Sequence, residues 1–371
     1  MDKLSGQKSI QKKGNRYMNR FQKWIIDKHP CLGTVLYAIK HSRDPEYRTK
    51  AMQIDPNVFR FRELGDSNPD RNIYYIVMGD RGDGFFAEYG RLLMYLYVSD
   101  RYNMTPVVRF TEDYLYTESV PVNGYENPFQ YYFLEPGGID PEEAEKSRNV
   151  VFSEFVHTLN KSLMKERQGL YGYTDSYIKI MGGIQKKYIR LNPIVNKYIS
   201  ENVEKILGSE KDRIIGVHYR GTDYKRGLDG HPVYTAAKEQ IEKAGELLGK
   251  GNYDKIFLAT DDSEALQEFK DEFGDKLVFY DDVFRGTGDT SVAFSRGERD
   301  LHHYKLGLEV LRDMETLSEC GALIAGPSQV SLAARITKAA ENRKYKDLII
   351  IDKGTVINGR CANKYYTMSL S

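Results

Sequence analysis

Apolar positions along the chain fall into short continuous runs that alternate with stretches of helical periodicity. Ile73-Tyr74-Tyr75-Ile76-Val77-Met78 is a run of strand length. Beyond the turn Gly79–Gly84, apolar residues recur at helical spacing to about Tyr102, with Leu92, Leu93, Leu96 and Val98 on the buried face. Thr105–Phe110 reads as the next strand. Strand, glycine turn, helix and strand make a βαβ unit, which predicts a Rossmann-like first domain. Residues 114–138 are rich in Tyr, Pro and Asn with poor periodicity and read as a long loop, a feature often tied to function. Val150–Phe155 is a further strand. Tyr177–Leu207 is mostly helical, with Pro193 starting or breaking a helix. The pattern resets at Gly208.

The second half alternates more regularly. Strands are predicted at Arg213–Tyr219, Lys255–Ala259, Leu277–Tyr280, Ala322–Ala325 and Leu348–Ile351. Helices are predicted at Thr235–Leu248, Ser263–Phe273, Leu301–Ser318 and Ser328–Ala340. This alternation predicts a second parallel α/β domain. The expected organisation is a helical, basic extension over 1–70, a Rossmann-like domain over 71–207 and a second over 208–371, the two facing a cleft.

Composition changes this picture little. At 371 residues the chain exceeds one ordinary core, and 40% hydrophobic with 29% charged residues describes a soluble globular protein. A net charge of +1 argues against a polyanion binder, so no nucleic-acid partner is expected. Cys31, Cys320 and Cys361 are far apart, which predicts neither a disulfide framework nor a zinc site. The apolar run Leu92–Val98 is far short of a membrane span, and the N-terminus lacks a signal-peptide layout, so a cytoplasmic location is expected. Residues 1–20 carry Lys3, Lys8, Lys12, Lys13, Arg16 and Arg20 against Asp2. They read either as a weak membrane-surface or nucleic-acid arm or as a solvated terminus. The 28 tyrosines could stack on sugars, though packing accounts for most such side chains.

Candidate chemistry concentrates in Ile214–Tyr224. An apolar strand ends in His218, Arg220 and Asp223, and in parallel sheets that end opens into the ligand crevice. The Arg220 fork matches phosphate oxygens and stays charged, which suits the diphosphate of an activated substrate. The alternative is a surface ion pair between Arg220 and Asp223. Two more strand ends should converge there, one bringing Thr260, Asp261 and Asp262, the other Gly326-Pro327-Ser328-Gln329 at a helix start. For Asp262 or Ser263 the expected role is a helix cap. Asp261-Asp262 also reads as a divalent-metal pair, but adjacent carboxylates tend to diverge and Arg220 with a helix N-terminus can neutralise a diphosphate, so no metal or other cofactor is expected. Gly82 and Gly84 would let backbone approach an anion at a helix N-terminus, or simply form a tight turn. The dinucleotide fingerprint lacks its third glycine, and no P-loop is present. Asp223, Asp229 and His231 are each either a general base for an acceptor hydroxyl or a solvated loop side chain.

These residues together resemble the metal-independent fucosyltransferases that include the nodulation-factor and core α-1,6 enzymes. Their first signature is matched by His218-Tyr219-Arg220-Gly221-Thr222-Asp223 with Gly227, Asp229 and His231-Pro232 following. The second is matched by Ile256–Asp262, the third by Asp313 with Ser328-Gln329-Val330, and a glycine turn by Gly82-Asp83-Gly84-Phe85. The resemblance covers 212–340 well and 73–110 weakly. It implies a GT-B-like fold and metal-free, inverting transfer. It also implies that Arg220 binds the donor's β-phosphate and stabilises the leaving GDP, that His218 and Asp313 contact the guanine or its neighbourhood, that Ser328 and Gln329 hold the diphosphate end, and that Asp229 is the candidate base. Gly221 and Tyr224 depart from the family's second arginine and its lysine, which leaves the donor open. On helical geometry alone Asp313 sits with Glu309 opposite Tyr304, Leu308 and Leu311, and a solvated face is expected there. The expectation is an inverting glycosyltransferase moving fucose from GDP-fucose to a glycan hydroxyl. The alternatives are a related transferase using GDP-mannose or another nucleotide sugar, and a non-catalytic nucleotide-sugar-binding protein.

Overall fold

The computed structural model describes residues 38–43, 59–167, 172–357 and 360–362. The basic arm at 1–20 and most of the helical extension expected before residue 70 lie outside them. The chain forms an α/β fold with two parallel sheets. In the first, β1 (Ser67–Met78) runs between β2 (Thr105–Phe110) and β3 (Ser147–Phe152). Helix α1 (Phe85–Arg101) crosses from β1 to β2 and buries Phe85, Phe86, Tyr89, Leu92, Leu93 and Leu96. The stripe spacing fixes that face, since residues three and four apart share it.

The segment after β2 has no regular structure, yet it is core. Tyr114, Tyr116, Phe129, Tyr131, Tyr132 and Phe133 are all buried. Tyr116 and Tyr132 meet the Phe85 ring edge-on, at 5.4 and 5.0 Å. The tyrosine-rich loop is therefore an aromatic cluster that seats the N-terminus of α1. Helices α2 (Asp175–Tyr188) and α3 (Pro193–Leu207) follow, their N-caps made by Thr174 and Asn192.

The second sheet has the order β6-β5-β4-β7-β8, all parallel. Its strands are β4 (Ile214–Tyr219), β5 (Lys255–Thr260), β6 (Leu277–Val278), β7 (Ala322–Ala325) and β8 (Asp347–Ile350). Every residue of β4 is buried. Ile215, Val217 and Tyr219 pack with α4 (Ala237–Gly249) and α5 (Ser263–Phe273). The opposite face packs against α6 (His302–Glu319) and α7 (Gln329–Ala340). A strand covered on both faces has no solvated side, which is why Ile214–Val217 reads as one apolar run.

Helix α7 packs along α2, where Gln185 Nε2 donates to Thr337 Oγ1 at 2.9 Å, and α6 packs against α3. These helices join both sheets to one continuous core. Helix α6 is consequently buried almost all round. A Cβ at Gly307 would sit 2.2 Å from the Tyr132 hydroxyl, so only glycine lets the loop approach there. A short hairpin, β9 (Thr355–Ile357) with β10 (Arg360–Ala362), closes the described chain and was not anticipated from the sequence.

Candidate active site

The second sheet reverses its direction of growth at β4: β5 and β6 lie on one side, β7 and β8 on the other. Such a switch point leaves a crevice at the carboxyl end of the central strand. Register brings His218 level with Ala259 and Ala325, so the ends of β4, β5 and β7 open together. Arg220 is the first residue beyond β4 and enters this crevice.

Two cavities meet at His218 and Arg220. The larger, about 70 Å³, is walled by Tyr116, Val283, Phe284, Val310 and Val330, with Thr260 and Asp261 at the Arg220 end and Glu309 and Asp313 from α6. The smaller, about 10 Å³, lies toward Tyr224 and the turn Gly326–Ser328. Tyr116 belongs to the first half of the chain and the remaining walls to the second.

Arg220 is held on three sides. Its Nε donates to Asp223 Oδ1 at 2.8 Å, Nη2 donates to Ser291 Oγ at 3.1 Å, and Nη1 lies 3.2 Å from Asp261 Oδ2. Burial opposes its charge, but Asp261 and Asp223 outweigh that and raise its pKa above the usual arginine range. The ion pair with Asp223 is real and is largely enclosed rather than at the surface. The guanidinium keeps N–H groups beyond those three partners, since five are available.

Asp261 and Asp262 diverge. Asp261 accepts from Gly221 N at 3.2 Å and Thr222 Oγ1 at 2.8 Å. Asp262 is fully buried and caps α5, its Oδ1 accepting from Glu264 N and Ala265 N, while Lys225 Nζ sits 2.7 Å from Oδ2. Of the two sequence readings for Asp262, the cap describes its position, and it lies outside the cavity walls. Among the described residues no group of three or more His, Cys, Asp or Glu is placed to hold a metal ion.

Gly221 has a physical reason to be glycine. A Cβ there would lie 2.2 Å from Asp262 Oδ2 and 2.6 Å from its Cβ. The space a second arginine would need is filled by the capping carboxylate. Tyr224, the other departure, places its ring 5.8 Å from the Arg220 guanidinium.

His218 is buried, with Nδ1 3.2 Å from Ser328 Oγ. Burial, then the neighbouring Arg220, pushes its pKa down to about 3, so the ring is neutral. Ser328 caps α7 and accepts from Ser331 N at 3.0 Å. Gln329 faces the Gly90 region of α1 and lines neither cavity.

The solvated face expected for Asp313 is overturned. Asp313 and Glu309 are buried, and Arg312 between them is fully buried on the Tyr280 ring, 3.8 Å from its centroid. Arg312 donates to Asp282, Tyr198 and Asn202 and so ties α6 to α3 and to the loop carrying Val283 and Phe284. The segment 282–299, with α3 at Arg312, covers the side of α6 that an isolated helix would show to water. Glu309 is matched by Arg299 and by Phe284 N at 3.1 Å. Asp313 has no hydrogen bond among the described residues, and burial pushes its pKa up to about 7 against the pull of Arg312 and Arg285. The cavity thus has a cation at one end and, at the other, a buried carboxylate that lacks a hydrogen bond.

Other expected residues stand apart. Gly82 and Gly84 line neither cavity; Gly84 precedes α1, whose first N–H, on Phe85, is taken by the Tyr116 hydroxyl at 3.2 Å. Asp229 is exposed on the loop after Arg220, outside both cavities, and His231 beside it packs its ring edge-on to Tyr224. That loop is stitched to β9 and the residue before it by Gly230 N to Val356 O and Val233 N to Gly354 O. Tyr116, Ser291, Phe284 and the Glu309–Arg299 pair were missed. Only Glu309 left a signal, being one helical turn before Asp313.

No protein-family model and no curated protein matches the chain. Among solved structures, the chain is similar to NodZ α-1,6-fucosyltransferase soaked with GDP-fucose, at 16% identity over 72% of this chain and 92% of that one, with a TM-score of 0.42. The fucosyltransferase NodZ from Bradyrhizobium matches at 14% identity over 73% and 92%, with a TM-score of 0.40. POFUT1 in complex with GDP matches at 11% identity over 76% and 99%, with a TM-score of 0.46. Likenesses this loose carry nothing about the reaction.

Proposed function

We propose that the chain is a GT-B-like, inverting glycosyltransferase that uses a guanosine-diphosphate sugar, with GDP-fucose as its donor and a glycan hydroxyl as acceptor. The observation that carries this reading is the polarity of the main cavity. Arg220 stands at one end and the unpartnered Asp313 carboxylate at the other, with apolar walls between them. A purine fits apolar walls, and a carboxylate with two free acceptor oxygens suits the paired N–H donors on the edge of guanine. At the other end Arg220, pre-aimed by Asp223 and Asp261, supports a diphosphate and stabilises it as it leaves. His218 is neutral and bonded to Ser328, so it contributes shape and a hydrogen bond rather than charge.

The reaction is a single displacement. A loop carboxylate takes the acceptor proton as the hydroxyl attacks the anomeric carbon, and the bond to the diphosphate breaks on the opposite side. Asp229, exposed on the loop that follows Arg220, is the proposed base. No metal is proposed, because Arg220 and the start of α7 supply the positive potential. The test is GDP release from GDP-fucose over a panel of oligosaccharide acceptors. Wild-type protein should release GDP only with a competent acceptor, and Arg220→Ala should be slowed about a hundredfold or more. Wild-type rates from Arg220→Ala, or turnover of UDP sugars instead, would refute the reading.

A further inference from the structure

The first sheet carries a cavity of its own, outside the donor site. β1 feeds α1 and β2 on one side while β3 lies on the other, so β1 is the switch point of that sheet too. At its carboxyl end is a space of about 290 Å³ lined by Met78, Asp80, Arg81, Arg91, Ser153 and Phe155 among others. Its size lies near the lower end of small-molecule sites, roughly 300–1,000 Å³.

We propose that this cavity is the acceptor subsite, and that it takes a neutral sugar ring of the acceptor glycan. The proposal rests on the glycosyltransferase reading and deepens it. The lining mixes donors and acceptors instead of concentrating one sign. Arg91 is committed to Glu88 at 3.1 Å and to Asp83, and Arg81 lies 3.5 Å from Asp83, so no surplus positive charge is left to favour an anion. Asp80 makes no ion pair or hydrogen bond among the described residues, and Ser153 Oγ is anchored by Val77 N at 3.1 Å. A free carboxylate, a hydroxyl and guanidinium N–H groups match the vicinal hydroxyls of a sugar.

Phe155 supplies the stacking face. It is a large apolar side chain that is 55% exposed, with Arg81 held over the ring 5.2 Å from its centroid. A sugar's C–H face covers such a ring while its hydroxyls reach the polar wall. The two cavities are also close along the chain. Arg81 lines this one, and four residues later Phe85 N–H meets Tyr116, a wall of the donor cavity.

The test uses the full chain and its Phe155→Ala and Asp80→Ala variants, both at exposed positions. Saturation-transfer NMR with glucose, galactose, mannose, N-acetylglucosamine, lactose and a sulfated disaccharide reads sugar contact directly, and GDP calorimetry on the same samples reads the donor site. At least one neutral sugar should give a signal that drops about tenfold in both variants while GDP affinity stays unchanged. Silence from every neutral sugar, binding confined to the sulfated sugar, or equal signals in the variants would overturn the proposal. Failure of GDP to bind while the neutral-sugar signal behaves as expected would instead remove the donor reading and leave this a sugar site.

Discussion

Replacing Asp313 by Asn should stabilise the empty protein at neutral and alkaline pH. The carboxyl is buried, unpartnered, and shifted by that burial from an ordinary 3.8 up to about 7. The folded chain therefore holds this proton more tightly than the unfolded chain does. Between pH ~4 and ~7 the unfolded state ionises first, so stability falls as pH rises through that window and levels off above it. From pH 5 to the folded pKa is about two units, and each unit is about 1.4 kcal/mol. Asn cannot ionise, so its stability relative to wild type should rise by about 2–3 kcal/mol between pH 5 and pH 8. Urea unfolding of both proteins at the two pH values measures this, and the difference cancels the similarly raised Glu88, Glu135 and Glu315. Parallel pH profiles, or a variant that loses ground at pH 8, would show that Asp313 is already satisfied and would undo the polarity argument for the cavity.

The ligand should show the converse. Under the proposed function guanine pairs with the ionised carboxylate, so GDP affinity should fall about tenfold from pH 8 to pH 6, and Asp313→Asn should lose that dependence along with most of its affinity. Gly221→Ala should destabilise by about 2–4 kcal/mol in urea, since its Cβ would displace a buried carboxylate that caps α5. Adding Asp262→Ala to that variant should recover part of the loss, and no recovery would mean the clash lies elsewhere. Arg312→Leu should weaken nucleotide binding without touching the ligand, because Arg312 positions α6 and the Val283–Phe284 loop; unchanged affinity in a folded variant would remove that role.

Much of the fold was legible because parallel strands covered on both sides carry uninterrupted apolar runs. β7 at Ala322–Ala325 and β2 at Thr105–Phe110 have the bounds expected from sequence, and the buried face of α1 is the one its spacing predicts. The sequence also brought His218, Arg220, Thr260, Asp261 and Ser328 to neighbouring strand ends, because topology alone converges them. What failed was anything set by packing at long range. Asp313 was read as solvated from an isolated helix, whereas the loop carrying Asp282 and Phe284, with α3 at Arg312, covers that side in the fold. The tyrosine-rich loop looked unstructured because its order comes from ring-to-ring contacts, which have no period in sequence. Gly221 was read only as leaving the donor open, and its lack of a side chain is set by a cap about forty residues away.

The most direct measurement is calorimetric titration of GDP, UDP and ADP into wild type and Arg220→Ala. GDP should bind wild type well ahead of UDP and ADP, and Arg220→Ala should bind it about a hundredfold more weakly with its unfolding transition intact. Equal affinity for the three nucleotides, or undiminished GDP binding without Arg220, would contradict a guanosine-diphosphate site at this strand end.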